Sequence, residues 1–215
     1  MSGIDRALDT FVRSISDTKS WLGNTELLWK LAPRDGEVRR KLGRPQLEAL
    51  HEAAFIRAFG AWEVFQEDLL ICLMRGQTTV SYPTLTLPAG KTRALNIAAA
   101  RADLFGGQQY LLWHNPSRVA RRAARFVANS PLELVVTSNE ERLTHFANVR
   151  HRIAHASEDA RSQFMISSAA LCGLTHDGVA GRFLRSMDNQ DGLNYKLWFL
   201  VICDELLGYA TEMAS

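Results

Sequence analysis

A chain of 215 residues, 47% of them apolar, can bury a full core, and a formal charge of +2 excludes the basic excess of a protein that coats nucleic acid. Any hold on an acidic partner must therefore come from local clustering of charge. Three cysteines, Cys72, Cys172 and Cys203, far apart and without a CxxC pair, argue against a disulfide framework and a zinc knuckle.

The cysteines read instead as small buried hydrophobes of a reducing compartment. Met1-Ser2-Gly3-Ile4-Asp5-Arg6 has no apolar leader behind it, and no stretch reaches the roughly 18 apolar residues of a membrane span. The expected location is the cytoplasm, with no membrane partner.

Ile4, Leu8, Phe11, Val12 and Ile15 recur at spacings of three and four and predict one apolar face of a first helix running towards Trp29. Ala32-Pro33-Arg34-Asp35-Gly36 ends it. Pro45 suits a first helical turn, and Leu47, Leu50, Ala54, Ala58, Ala61, Trp62, Phe65 and Leu69 follow as one stripe, so a long second helix is expected as the spine. Residues 78–90, with Pro83, Pro88 and several β-branched residues, predict a long surface connection. Helical patterns follow over residues 91–102 and 116–128, whereas residues 132–137 fit a short strand and a helix end equally.

Ser138 with Glu141 three places on has capping-box spacing, which predicts a helix from there to about His155. A helical stretch over 164–171, a glycine-punctuated segment over 173–181 and a last amphipathic helix over 194–213 complete the chain. The expected class is all-α. With no repeat or linker composition, the expectation is one domain over 1–215, with residues 1–30 as an N-terminal helix and 45–213 as the core.

On a helical wheel of about 100° per residue, Leu143, Phe146, Ala147, Ile153 and Ala154 form one stripe with Arg150 at its centre. An unpaired guanidinium buried there costs several kcal/mol, so it must be paired, reach solvent, or face a cleft that receives an anion. Asp68, Glu63 or Glu67 could supply the carboxylate of the first alternative. His155, about 140° round the wheel, borders the same stripe, and His151 shares its face at a spacing of four. Metal-free RNA cleavage needs a proton acceptor for the ribose 2′-OH, a donor for the leaving 5′ oxygen and a fixed cation beside the phosphorane. As residue types, two imidazoles and a guanidinium meet those needs.

The run Arg150-His151-Arg152-Ile153-Ala154-His155 resembles the Rx4-6H motif of the HEPN superfamily, many of whose members are metal-independent endoribonucleases. Ala58-Phe59-Gly60-Ala61-Trp62-Glu63-Val64-Phe65-Gln66-Glu67-Asp68-Leu69-Leu70 resembles the second-helix signature of its RiboL-PSP type. Gly181-Arg182-Phe183-Leu184 is similar to the closing part of those families, so the likeness spans residues 45–213.

The resemblance implies a HEPN-like bundle of antiparallel helices with short extra helices and a long loop. It implies Arg150 and His155 as the catalytic pair, His151 beside them and Glu63 as an acidic support. It further implies a homodimer with a composite site, RNA as substrate, 2′,3′-cyclic phosphate and 5′-hydroxyl products, and a toxin-antitoxin or phage-defence setting with a cognate antitoxin as partner. A non-catalytic HEPN-type module that binds RNA, a nucleotide or a protein is the alternative. The chain departs from the family pattern in having His151 where Asn is common, and Ser157 where one branch has the tyrosine that is adenylylated.

Arg118, Arg121, Arg122 and Arg125, at i, i+3, i+4 and i+7, make one basic stripe and the first choice for RNA docking, with Arg152 inside the motif as a further RNA contact and Lys91 and Arg93 secondary. A solvated charged face is the plain alternative. His151 and His155 could serve as zinc ligands on one face, but no Glu follows His151 and no third ligand is placed, so neither metal nor cofactor is expected. Ala89-Gly90-Lys91-Thr92 lacks the first glycine and the leading strand of a P-loop, which excludes nucleoside-triphosphate hydrolysis. His51, His114, His145 and His176 are expected at the surface or at helix ends. Trp62, Trp113 and Trp198 are expected as packing anchors, with Trp21 and Trp29 partly exposed.

Overall fold

The structure, a computed structural model, describes residues 2–188 and 196–215. Helices account for nearly all regular structure: α1 (Gly3–Leu31), α2 (Glu37–Lys41), α3 (Arg44–Met74), α4 (Ile97–Phe105), α5 (Pro116–Phe126), α6 (Pro131–Ser138), α7 (Glu140–Ala154), α8 (Glu158–Cys172), α9 (Ala180–Leu184) and α10 (Trp198–Ala214). Strands β1 (Met187–Asp188) and β2 (Lys196–Leu197) pair antiparallel, Met187 opposite Leu197. The all-α expectation holds, and no helix among the described residues is long and apolar enough to cross a membrane.

The chain forms two compact units, each assembled from separated segments. The first takes residues 1–12, 61–144 and 206–215, and the second residues 13–60 and 145–205. In the first, Phe11, Trp62 and Phe65 pack as a cluster with ring centroids 5.4 to 5.9 Å apart. The long connection from α3 to α4 is tied down where its backbone can be satisfied. Ser81 donates to the Ser215 carbonyl, Ala94 to that of Met74, and Ala128 to that of Thr86.

In the second unit, α9 presses on α3, where Gly181 meets the backbone of Glu48 so closely that no side chain fits. The Gly181 amide donates to Glu52 Oε1 at 2.8 Å, and Arg182 reaches Glu48 at 3.4 Å. Phe183 stacks on Trp198 with centroids 5.5 Å apart. Trp29 lies between two guanidiniums, Arg39 at 4.2 Å and Arg185 at 5.0 Å from its ring, and Arg185 also donates to Glu26 at 2.6 Å.

Several expectations need correction. Val12 is exposed, and the buried face of α1 runs instead through Ile4, Ala7, Phe11, Ile15, Thr18 and Leu22. The helix expected over 91–102 begins at Ile97, because the Asn96 side chain caps it by accepting from the Ala99 amide. Residues 132–137 are helical. Ser138 ends α6 instead of capping α7, and the Asn139 carbonyl receives the Leu143 amide. The serine-to-glutamate device occurs one helix earlier: Ser130 accepts from the Glu133 amide, and Glu133 accepts from the Asn129 amide. The last helix starts at Trp198, and Asn194, its expected start, lies outside the described residues. Trp62, Trp113 and Trp198 are buried and Trp21 is exposed, as expected, but His51 is completely buried.

Candidate functional site

The motif closes α7, a helix seated in the second unit by buried Phe146, Ala147 and Val149. The apolar stripe fades towards its end: Arg150, His151 and Ile153 are half-buried, Ala154 and His155 exposed. The His155 amide still donates to the His151 carbonyl at 2.9 Å, which continues the helical spiral and carries the imidazole at i+4 back over its neighbour. The two rings stand with centroids 4.6 Å apart and planes tilted by 52°.

Arg152, expected as an RNA contact, donates Nε to the Gly178 carbonyl at 2.7 Å and Nη1 to the His155 carbonyl at 3.3 Å. It thereby binds the glycine-punctuated segment to the end of α7 and satisfies a carbonyl that the helix leaves open. Gly178 has a φ of 72°, a left-handed turn that glycine permits. Arg161 secures the same segment through Asp177 at 2.5 Å. Ser157 caps α8 by accepting from the Ala160 amide. The second unit thus brings His151, Arg152 and His155 together at one exposed helix end, with Arg150 on the preceding residue.

Glu63, the expected acidic support, belongs to the first unit and faces His114 Nδ1 at 3.8 Å. Its neighbours Glu67 and Asp68 approach Arg101 at 3.6 and 3.7 Å. Among the described residues no group of three or more His, Cys, Asp or Glu is placed to hold a metal ion.

The basic stripe forms as the spacing requires. Asn115 caps α5 by accepting from the Arg118 amide, and Pro116 opens its first turn. Val119, Ala123 and Phe126 bury one face, which turns Arg118, Arg121, Arg122 and Arg125 onto the wall of a cavity of about 360 Å³. Arg118, Arg121 and Arg125 are exposed.

Arg122 is half-buried and lies over the Trp113 ring at 4.7 Å, with Nη1 buried and lacking a hydrogen-bond partner among the described residues. Burial, and secondarily the charge of Arg118, pull its pKa below the usual guanidinium value, while Glu67 opposes them. Lys91, a secondary docking candidate, covers Phe126 at 4.5 Å and approaches Asp103 at 3.4 Å. The other secondary candidate, Arg93, is exposed and packs along Gly76.

Leu104, Gln108, Leu111 and Phe126 complete the cavity wall without any sign in the sequence, and the same holds for the Trp113 ring, outside that wall, on which Arg122 lies. Nine positions and a loop separate those two residues, so periodicity along one helix carries no sign of their stacking. The glycine pair Gly106-Gly107, which ends α4 in left-handed turns, was the available signal that the chain reverses there. Compared with known proteins, the chain matches no family model, no curated protein and no solved structure.

Proposed function

We propose that this chain is a HEPN-type, metal-independent endoribonuclease that works as a homodimer, in the setting of a toxin-antitoxin or phage-defence system. The observation that carries the reading is the pair of imidazoles of His151 and His155, 4.6 Å apart at the exposed end of α7, directly after Arg150. Two imidazoles in contact supply a proton acceptor and a proton donor together, which in-line attack by a ribose 2′-OH requires.

In the proposed reaction the 2′ oxygen attacks phosphorus and its proton passes to one imidazole. The bond from phosphorus to the 5′ oxygen breaks, and the protonated second imidazole delivers a proton to that oxygen. A 2′,3′-cyclic phosphate and a 5′-hydroxyl result. His155, the more exposed ring, is the principal acid or base. The Arg150 guanidinium stabilises the phosphorane charge, and Arg152 holds the helix end that presents both rings. The exposed guanidiniums of Arg118, Arg121 and Arg125 are the proposed docking surface for the RNA backbone, a contact that sets affinity and not sequence.

The test is cleavage of RNA by purified protein in excess EDTA. His155→Ala and Arg150→Ala are each expected to lower the rate by about a hundredfold or more while circular dichroism and melting temperature hold. Activity that vanishes on chelation, or survives in both variants, rejects the proposal. Salt-sensitive RNA binding without cleavage would leave a non-catalytic binding module.

A further inference from the structure

A second cavity, of about 440 Å³, opens within the first unit, lined by the start of α1, the end of α3 and the start of α4. Ala7, Ile71 and Cys72 are its deepest residues, only 3 to 8% exposed and too well covered to receive a ring, while Ile97 lines it at 51% exposure. Its charged lining is Arg6, Arg75, Arg101 and Asp68, three guanidiniums against one carboxylate.

These guanidiniums are not equally provided for. Arg101 is shared between Asp68 at 3.7 Å and Glu67 at 3.6 Å. Neither Arg6 nor Arg75 has a side-chain hydrogen bond or ion pair among the described residues, and Arg75 is half-buried with its Nε covered. A half-buried cation without a counter-charge is costly. The Cys72 thiol registers the same set of charges: burial raises it above its usual value and Asp68 adds to the rise, while Arg75 and Arg6 oppose it. Two uncompensated positive charges therefore border one concave space.

Charge and size narrow what fills it. A guanidinium takes a carboxylate side-on through two parallel N–H···O bonds, so two of them on separate elements suit two carboxylates. Asp68 in the wall repels a ligand of higher charge, such as a polyphosphate or a strand of nucleic acid. A single inorganic ion leaves most of the volume unfilled and makes no use of exposed Ile97. Two carboxylates joined by a few methylenes meet both requirements, in a space of ordinary size for a small-molecule site.

We propose that this cavity binds a short aliphatic dicarboxylate, its carboxylates paired with Arg6 and Arg75 and its methylenes against Ile97. The site is independent of strand cleavage at His155: a chain that cuts nothing still holds this ligand.

Calorimetric titration at constant ionic strength tests it with succinate, butyrate and inorganic phosphate. Succinate is expected to bind with a Kd of about 1 mM or below, at least about tenfold more tightly than butyrate or phosphate. Arg6→Ala and Arg75→Ala are each expected to weaken succinate by about tenfold. Arg6 is exposed, so its truncation cannot open a core, and that variant decides the matter should Arg75→Ala fail to fold. Asp68→Asn, which removes the repelling charge and releases Arg101, should tighten succinate several-fold. Arg57→Ala, exposed in the second unit, should leave it unchanged.

Butyrate binding as tightly as succinate leaves the second carboxylate without a seat and overturns the proposal. Phosphate binding as tightly makes this a site for an adventitious ion only, which equally overturns it. So does indifference of succinate to Arg6→Ala, or looser binding in Asp68→Asn. Failure of cleavage in the His155 experiment has no bearing on any of these results.

Discussion

His51 shows what a single buried side chain imposes. Its Nδ1 lies 2.8 Å from the Leu47 carbonyl, and Nε2 stands 3.7 Å from Glu26, itself held by Arg185. Burial is the largest influence on its pKa and lowers it from 6.5, with Arg185 adding to the lowering and the Leu47 carbonyl, Glu26 and Glu48 opposing it. His176 is lowered too, by burial and by Arg182.

Both histidines are thus neutral in the folded chain at a pH where the unfolded chain takes up protons. Stability is therefore complete above the ordinary histidine value and falls as pH drops below it towards the lowered values. Urea midpoints between about pH 8 and about pH 5 should decline, and His51→Asn, which keeps a donor for Leu47, should flatten that decline without abolishing it. A slope unchanged in the variant would remove His51 from the account.

At this scale the sequence was uneven in what it disclosed. Arg150 and His155 stood out because helical spacing put a charge on an apolar face. His51 did not, because nothing in the neighbouring residues of a histidine says that Glu26 of α1 and Phe199 of α10 will lie against it.

Helices were the most legible elements, since a period of 3.6 survives whatever packs against it. Their ends were less so: Asn96 and Ser130 are caps that the periodicity passed over, and Ser138 had the right spacing in the wrong helix. A cap is recognised by a backbone amide in reach, which spacing supplies only once the preceding helix has been located.

Glycines separate two kinds of helix position. A Cβ at Gly181 would meet the Glu48 backbone, which has no rotamer to yield, so Gly181→Ala should cost about 1–3 kcal/mol or more. A Cβ at Gly60, inside α3, meets nothing within 4 Å, and Gly60→Ala should stabilise by about 0.5–1 kcal/mol. Chemical denaturation of both variants checks the pair, and shifts of the same sign would contradict the described seat of α9.

On the scale of the whole molecule, composition could not mark the two compact units. Each is interleaved in the chain, and the divisions fall inside helices at residues 12, 60, 144 and 205, not in a linker. Glycine and proline punctuate loops, and no loop stands at those places.

If the cleaving species is a pair of chains, as proposed, the rate per chain should rise with protein concentration and level off once the dimer is saturated. Light scattering alongside the assay checks it. Full specific activity from a monomer at the lowest concentration would dismiss the dimer while leaving the imidazole pair intact.

The three thiols turn this partition to practical use. Burial raises the pKa of Cys72 and Cys172 and pushes Cys203 up to about 12, so an alkylating reagent finds almost no thiolate while the fold is closed. Cys72 and Cys203 are buried in the first and second units respectively. With half-exposed Cys172 replaced by serine, each remaining sulfur becomes a clock for the opening of its own unit, and their relative rates of capture tell whether the two halves of the chain come apart together or in turn.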